Sequence, residues 1–176
     1  VLQFTDDAGA QCEVDESVLP GEPPRDYVRR VAFDKALHAI SYVRDRGLSE
    51  RPLLSADTTV ALGDRILGKP ADADDARDML KALSGQAHEV LTSVVLAHGH
   101  DIRQMLSVSQ VRFMSLSDET IERYIASGEP FDKAGAYGIQ GHAGVFVAEM
   151  QGSFTGIMGL PVHETACLLE SCGYTF

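Results

Sequence analysis

Between Arg25 and Arg46 the apolar residues Tyr27, Val28, Val31, Ala32, Ala36, Ala39, Ile40 and Val43 recur at three- and four-residue steps. That spacing predicts an amphipathic helix, with Pro23-Pro24 suited to its first turn and Gly47 to its stop. Beyond it, Pro52 to Val60 reads as a strand, and Gly63-Asp64 as the turn that returns it through Arg65-Ile66-Leu67 in a β-hairpin. Asp72-Ala73-Asp74-Asp75 supplies the cap and first-turn charge of a second helix, which Ala76, Met79, Leu80 and Leu83 continue and Gly85 ends. Glu89 to Ala97 is apolar enough for a strand covered on both faces. His98-Gly99-His100-Asp101 then forms a turn, and Ile102 to Phe113 is the return strand, with a phase change near Gln110-Val111 that suggests a bulge. Ser117 caps a helix with Ile121, Tyr124 and Ile125 inward and Gly128 at its end. The chain closes with a strand over Gly144 to Ala148, a turn at Gln151-Gly152 into Ser153 to Met158, and a helix from Val162 to Cys172 whose core stripe is Val162, Ala166 and Leu169. Val1 to Phe4 reads as the end or start of one more strand. Helices and strands alternate with hairpins inserted, which predicts an α/β architecture with a mixed sheet.

Composition narrows the function classes. The 176 residues are 44% hydrophobic and 23% charged, the profile of a globular protein with a sizeable core. A formal net charge of −11 argues against nucleic acid or an anionic membrane as partner, because both need a basic face. A small anionic ligand must then be held locally, by a few lysines or a divalent cation. No apolar run approaches the roughly 20 residues of a membrane span and no signal segment opens the chain, so a cytoplasmic protein is expected. Cys12, Cys167 and Cys172 lack CxxC spacing and leave one thiol over in any pairing, which favours reduced thiols.

Two stretches carry candidate chemistry. The strand-like run Leu53 to Val60 is interrupted by Asp57, and one hairpin later come Gly68-Lys69-Pro70. An acid and a lysine at one sheet edge suit phosphate chemistry, and equally a salt bridge. Lys35 falls on the apolar stripe of the first helix, where it either snorkels to water or aims an ammonium into an anion site. Glu16 lies in the acidic turn Glu13 to Ser17. The second stretch is Asp132 to Gly141, with Gly135, Gly138 and Gly141 among seven residues. Its backbone can approach a ligand closely or simply form a tight loop. His98-Gly99-His100 lacks further ligands at metal spacing and reads as a polar hairpin tip.

In order along the chain stand Ser-Ala-Asp57-Thr58-Thr-Val, Ile-Leu-Gly-Lys69-Pro, Leu-Ser-Gly85-Gln-Ala-His88, Gly-Glu-Pro-Phe-Asp-Lys133-Ala-Gly-Ala-Tyr-Gly-Ile-Gln140-Gly, Gly-Ser-Phe and Gly-Leu-Pro161-Val-His-Glu-Thr165. From about Asp15 to Gly173 the sequence resembles the Maf family of nucleoside triphosphate pyrophosphatases. The resemblance implies an elongated α/β fold of two lobes around a cleft, like that of inosine triphosphate pyrophosphatases, and often a homodimer. The implied reaction cleaves a nucleoside triphosphate between its α and β phosphates with Mg²⁺ or Mn²⁺. Asp57 matches the proposed proton acceptor, Lys35 and Lys69 the motif lysines, and Glu16 a carboxylate that with Asp57 could hold the metal. Thr58 and Gln140 match positions linked to base choice, with Lys133 beside them as a further phosphate-facing cation. The Gly-Ile-Gln-Gly form resembles the branch acting on dTTP and UTP rather than that acting on N7-methyl-GTP. The family's opening Ser-x-Ser-Pro-Arg-Arg loop has no counterpart in Val1 to Gln11, and it is expected to lie upstream. The alternative function is a non-catalytic nucleotide-binding regulator linked to septum formation.

Overall fold

A computed structural model describes residues 14–49 and 51–175. The expected strand at Val1 to Phe4, and Cys12, lie outside the described residues. Helix α1 (Pro24–Asp45) begins with Pro24 in its first turn and buries Tyr27, Val28, Val31, Ala32, Ala36 and Ala39, while Ile40 and Val43 are half-buried. Strand β1 (Leu53–Leu62) turns at Gly63 (φ +61°) into β2 (Arg65–Leu67). Helix α2 (Ala73–Leu83) is capped by the Asp72 carboxylate, which accepts from the Asp75 N–H. Then follow β3 (Ala87–His98), β4 (Asp101–Phe113) and α3 (Asp118–Ala126), the helix capped by Ser117 accepting from the Thr120 N–H.

The strands form one sheet in the order β2-β1-β3-β4-β5, where β5 is Val147–Gln151. Every ladder among the described residues is antiparallel, where the alternation of elements had suggested a mixed sheet. Strand β3 runs through the middle and is buried on both faces. One face is covered by α1, whose Tyr27, Val28 and Val31 pack on Ala61 and Leu91, and whose Ala32 and Ala36 pack on Val95. On the other face, Val60, Val90, Val111 and Phe113 meet α2 and α3 through Leu80, Leu83 and Ile121. Farther along that face, Leu168 of α5 (Val162–Ser171) packs on Val94 and Leu96.

Tertiary context revises three expectations near the C-terminal end. Residues 142–146 form a 3-10 turn, so β5 starts at Val147 instead of Gly144. The Glu129 carboxylate takes the His142 and Ala143 N–H groups and the Gly144 N–H goes to the Gly141 carbonyl, which keeps the chain in a turn as it enters the expected strand. Residues 154–157 make a short helix, α4 (Phe154–Ile157), because the Ser153 hydroxyl caps the Gly156 N–H. In α5 the buried positions are Thr165 and Leu168, while Val162 is 53% exposed, so the helix is rotated from the predicted stripe. The ladder irregularity falls at Arg112/Phe113, two residues after the expected phase change. Cys167 and Cys172 are free and half-buried. Among the described residues no helix is long and apolar enough to cross a membrane.

Candidate active site

Alternation along β1 sends Ser55, Asp57, Thr59 and Ala61 towards α1 and Thr58 and Val60 towards the opposite face. The Ser55 hydroxyl donates to the Ala32 carbonyl at 2.8 Å, which fixes the strand against the helix one turn from Lys35. Asp57 is only 9% exposed and accepts at Oδ1 from Lys35 Nζ at 2.7 Å. The same ammonium stands 2.7 Å from Glu16 Oε1. Lys35 thus turns inward from its apolar stripe because two carboxylates converge on it. Burial pushes the Asp57 carboxyl above its ordinary value, more than Lys35 lowers it. Burial pulls the Lys35 ammonium down, but Asp57 and Glu16 outweigh it and leave Lys35 above its ordinary value. The lysine therefore remains charged, while Asp57 is a carboxylate held against its solvation preference, the condition expected of a proton acceptor.

Glu16 reaches the site from an irregular segment, and three side chains of α1 and the preceding loop hold that segment. The Tyr27 hydroxyl donates to the Glu16 carbonyl at 3.0 Å, and Arg30 donates to the Ser17 carbonyl at 2.9 Å. Arg30 also forks onto Glu22, Nε to Oε1 at 2.7 Å and the terminal nitrogen to Oε2 at 2.9 Å. Sequence reasoning had Tyr27 only as core, and passed over Arg30 and Glu22, whose spacing of eight has no helical meaning across a loop.

A cleft of about 290 Å³ opens here, lined by Glu16, Tyr27, Lys35, Asp57, Thr58, Thr59, Gly68, Lys69 and Ala134. Lys69 is exposed, and its charge acts to lower the Asp57 pKa. The glycine-rich segment is anchored to the same wall. The Gly135 N–H donates to the Gly68 carbonyl at 3.0 Å, and with φ +67° a Cβ on Gly135 would stand 2.9 Å from Val60. Only glycine fits both demands. Ala134 reaches the cleft, whereas Lys133 and Gln140 do not line it. Lys133 pairs with Asp132 at 2.7 Å, and Gln140 lies exposed on the outer part of the loop. Beneath that loop Glu129 accepts from the Tyr124 hydroxyl at 2.9 Å and from the His142 N–H at 2.9 Å. Gly141 sits so close to this carboxylate that a Cβ there would collide with it. Glu129 escaped the sequence reading, although it stands in the Gly-Glu-Pro-Phe-Asp-Lys motif.

The motif histidine, His88, is 3% exposed, bonded through Nε2 to the Tyr137 hydroxyl at 2.8 Å and edge-on to Phe113. Burial lowers its pKa to about 4, so it is neutral at pH 7 and packs rather than titrates. His98 and His100 are exposed at the β3–β4 turn, and among the described residues no three His, Cys, Asp or Glu side chains form a metal cluster.

An α/β fold thus brings an acid–lysine–acid cluster, buried at Asp57 and open to solvent at Glu16, to one cleft with a second lysine, a set of groups able to engage an anionic ligand together with a cation. The model of the family described as "Maf-like protein" matches residues 4–172, and the chain belongs to that family. It is similar to a "dTTP/UTP pyrophosphatase" of Chromobacterium violaceum, 58% identical over 92% of this chain and 82% of that protein. A protein of the same description from Ralstonia nicotianae is 57% identical over 96% of this chain and 82% of its own length. Another, from Dechloromonas aromatica, is 53% identical over 97% and 85%.

Proposed function

We propose that this chain is a hydrolase that cleaves dTTP and UTP to the nucleoside monophosphate and pyrophosphate. The observation that carries the chemistry is Lys35 Nζ held 2.7 Å from both Asp57 and Glu16 on the wall of the cleft. The substrate class rests on the similarity to the dTTP/UTP pyrophosphatases. In this reading Lys35 and Lys69 receive the triphosphate and offset its charge, since attack on an anionic phosphorus needs cations around it. Lys35 occupies Asp57 Oδ1, and the other carboxylate oxygen orients a water and takes its proton as the water attacks the α-phosphorus. Pyrophosphate departs with the bridging electron pair. Thr58 addresses the base from the cleft wall, while Gln140 and Lys133, on the loop that Glu129 supports and outside the cleft lining, would meet the nucleotide only where it extends past Ala134 along that loop.

A divalent cation fits the donor set. Asp57 and Glu16 already converge on one positive charge, and Mg²⁺ or Mn²⁺ takes one or two carboxylates with the remainder from phosphate and water. The two acids and two lysines at the cleft wall cancel, so the site alone cannot neutralise a triphosphate. When bound through Asp57 and Glu16, the ion supplies that missing positive charge. The same reading has the protein working as a homodimer in the cytoplasm, without nucleic-acid or membrane partners.

The test is pyrophosphate release by the full chain with dTTP, UTP, CTP and N7-methyl-GTP in the presence of Mg²⁺. Turnover of dTTP and UTP ahead of the others is expected; binding of these nucleotides without turnover refutes catalysis.

A further inference from the structure

Thr92, on the central strand, is 1% exposed and beyond the reach of any ligand, yet it decides what the neighbouring Thr58 offers to one. The two hydroxyl oxygens are 2.8 Å apart, and the Thr92 oxygen is 2.7 Å from the Gly156 carbonyl. A carbonyl only accepts, so the single Thr92 proton is committed to Gly156. That same carbonyl also accepts the Gly159 N–H at 3.0 Å, which leaves it no lone pair for Thr58. The 2.8 Å contact therefore contains the Thr58 proton, donated to Thr92. Thr58 is half-buried and is one of the residues of the cleft wall, and with its proton spent its hydroxyl has only lone pairs to present.

We propose that Thr92 is a specificity-positioning residue: by locking the Thr58 hydroxyl as an acceptor, it selects pyrimidines whose ring N3 carries a hydrogen, uracil and thymine, over cytosine. Uracil and thymine present an N3–H donor between two carbonyls. Cytosine presents a lone pair at N3, and two lone pairs facing each other cost a desolvated, unmade hydrogen bond. Cytosine reaches an acceptor only through its 4-amino group, one ring atom away, which displaces the ring. This inference rests on the reading of Thr58 as a base contact, and adds to it the residue that sets its polarity.

The test is calorimetric binding of the full chain to α,β-methylene UTP and α,β-methylene CTP, neither of which can be cleaved at the α–β bond. Thr92→Val keeps the shape, removes the acceptor and releases the Thr58 proton to the cleft. The UTP-over-CTP affinity ratio is expected to fall by about tenfold, with the UTP analogue weakened and the CTP analogue strengthened. Thr92→Ser restores the relay and keeps the native ratio. Thr58→Val removes the acceptor itself; the ratio falls through the UTP analogue alone, and adding Thr92→Val to it changes nothing further. A Thr92→Val ratio within twofold of native, equal weakening of both analogues, or loss of the native ratio in Thr92→Ser overturns the proposal. Should Thr92→Val fail to fold, an unchanged ratio in Thr58→Val overturns it as well. Absence of pyrophosphate release from a native protein that still prefers the UTP analogue refutes the hydrolase reading alone, whereas release without that preference refutes this inference alone.

Discussion

Replacing Asp57 by Asn separates chemistry from stability at one atom. The carboxylate is 9% exposed and shares the Lys35 ammonium with Glu16, each oxygen 2.7 Å away. Removing one partner of a buried ion pair ordinarily costs about 3–5 kcal/mol, because the other charge is left uncompensated. Here Lys35 keeps Glu16 and is 29% exposed, so its charge is not abandoned. The Asp57 charge is itself disfavoured by burial, and asparagine removes that cost while filling the same space. The two contributions oppose each other, and the net change is expected within about 1 kcal/mol, or a melting shift within roughly 4 °C for a chain of this size. Activity should behave otherwise: an amide cannot take a proton from water, and loss of a general base costs about 10²–10⁴-fold. Pyrophosphate release with UTP and Mg²⁺, together with a thermal melt of the same preparation, reads both. A variant that keeps more than a tenth of the native rate refutes Asp57 as proton acceptor. A melting point lowered by more than about 10 °C would show instead that the acid is there to hold the fold, a loss comparable to breaking an isolated buried pair.

Three further outcomes test the frame around the cleft. Gly135→Ala places a Cβ 2.9 Å from Val60 on a backbone at φ +67°, and urea unfolding should register a loss of about 2–4 kcal/mol; no loss would mean the loop moves away at no cost. Glu129 is pushed up by burial but pulled below its ordinary value by the His142 N–H, the Tyr124 hydroxyl and the Ala143 N–H, so its contribution is present at neutral pH and lost as pH falls through its lowered folded pKa. Glu129→Gln should lower the neutral-pH melting point and flatten the melting curve's acid limb; an unchanged acid limb counts against this role. His88 falls from 6.5 to about 4, so the unfolded chain takes up its proton first and stability should drain between pH 6.5 and 4, by roughly 3 kcal/mol in all. His88→Gln should remove that part of the slope in melting temperature against pH, and persistence of the slope would assign it elsewhere.

The local elements were legible because their causes are local. The α1 stripe, the Asp72 and Ser117 caps, the Gly63 turn and the Gly85 and Gly128 stops depend on residues within about four positions of one another. Asp57, Lys69 and the glycine-rich loop stood out for the complementary reason, as charge and glycine where an element would not otherwise want them. The same local logic misplaced β5 and the inward stripe of α5. The Glu129 carboxylate, thirteen residues from His142, holds the chain in a turn just ahead of the expected strand start, and the face of α5 is chosen by Val94 and Leu96 of a distant strand.

Sequence by itself determined the long helices and strands, where most of them stop, and which charged groups are candidates, since periodicity, caps and turn residues act within a few positions. It also carried the family motifs in their order. Only tertiary structure decided what those groups do to one another. Lys35 could have reached water from its stripe until Asp57, twenty-two residues away, and Glu16 met it. Thr58 could have donated or accepted until Thr92 and the Gly156 carbonyl, themselves sixty-four residues apart, took its proton. A hydrogen bond's direction and a carboxylate's cost of burial are properties of the assembled neighbourhood, and in this chain the cleft is where that neighbourhood is assembled.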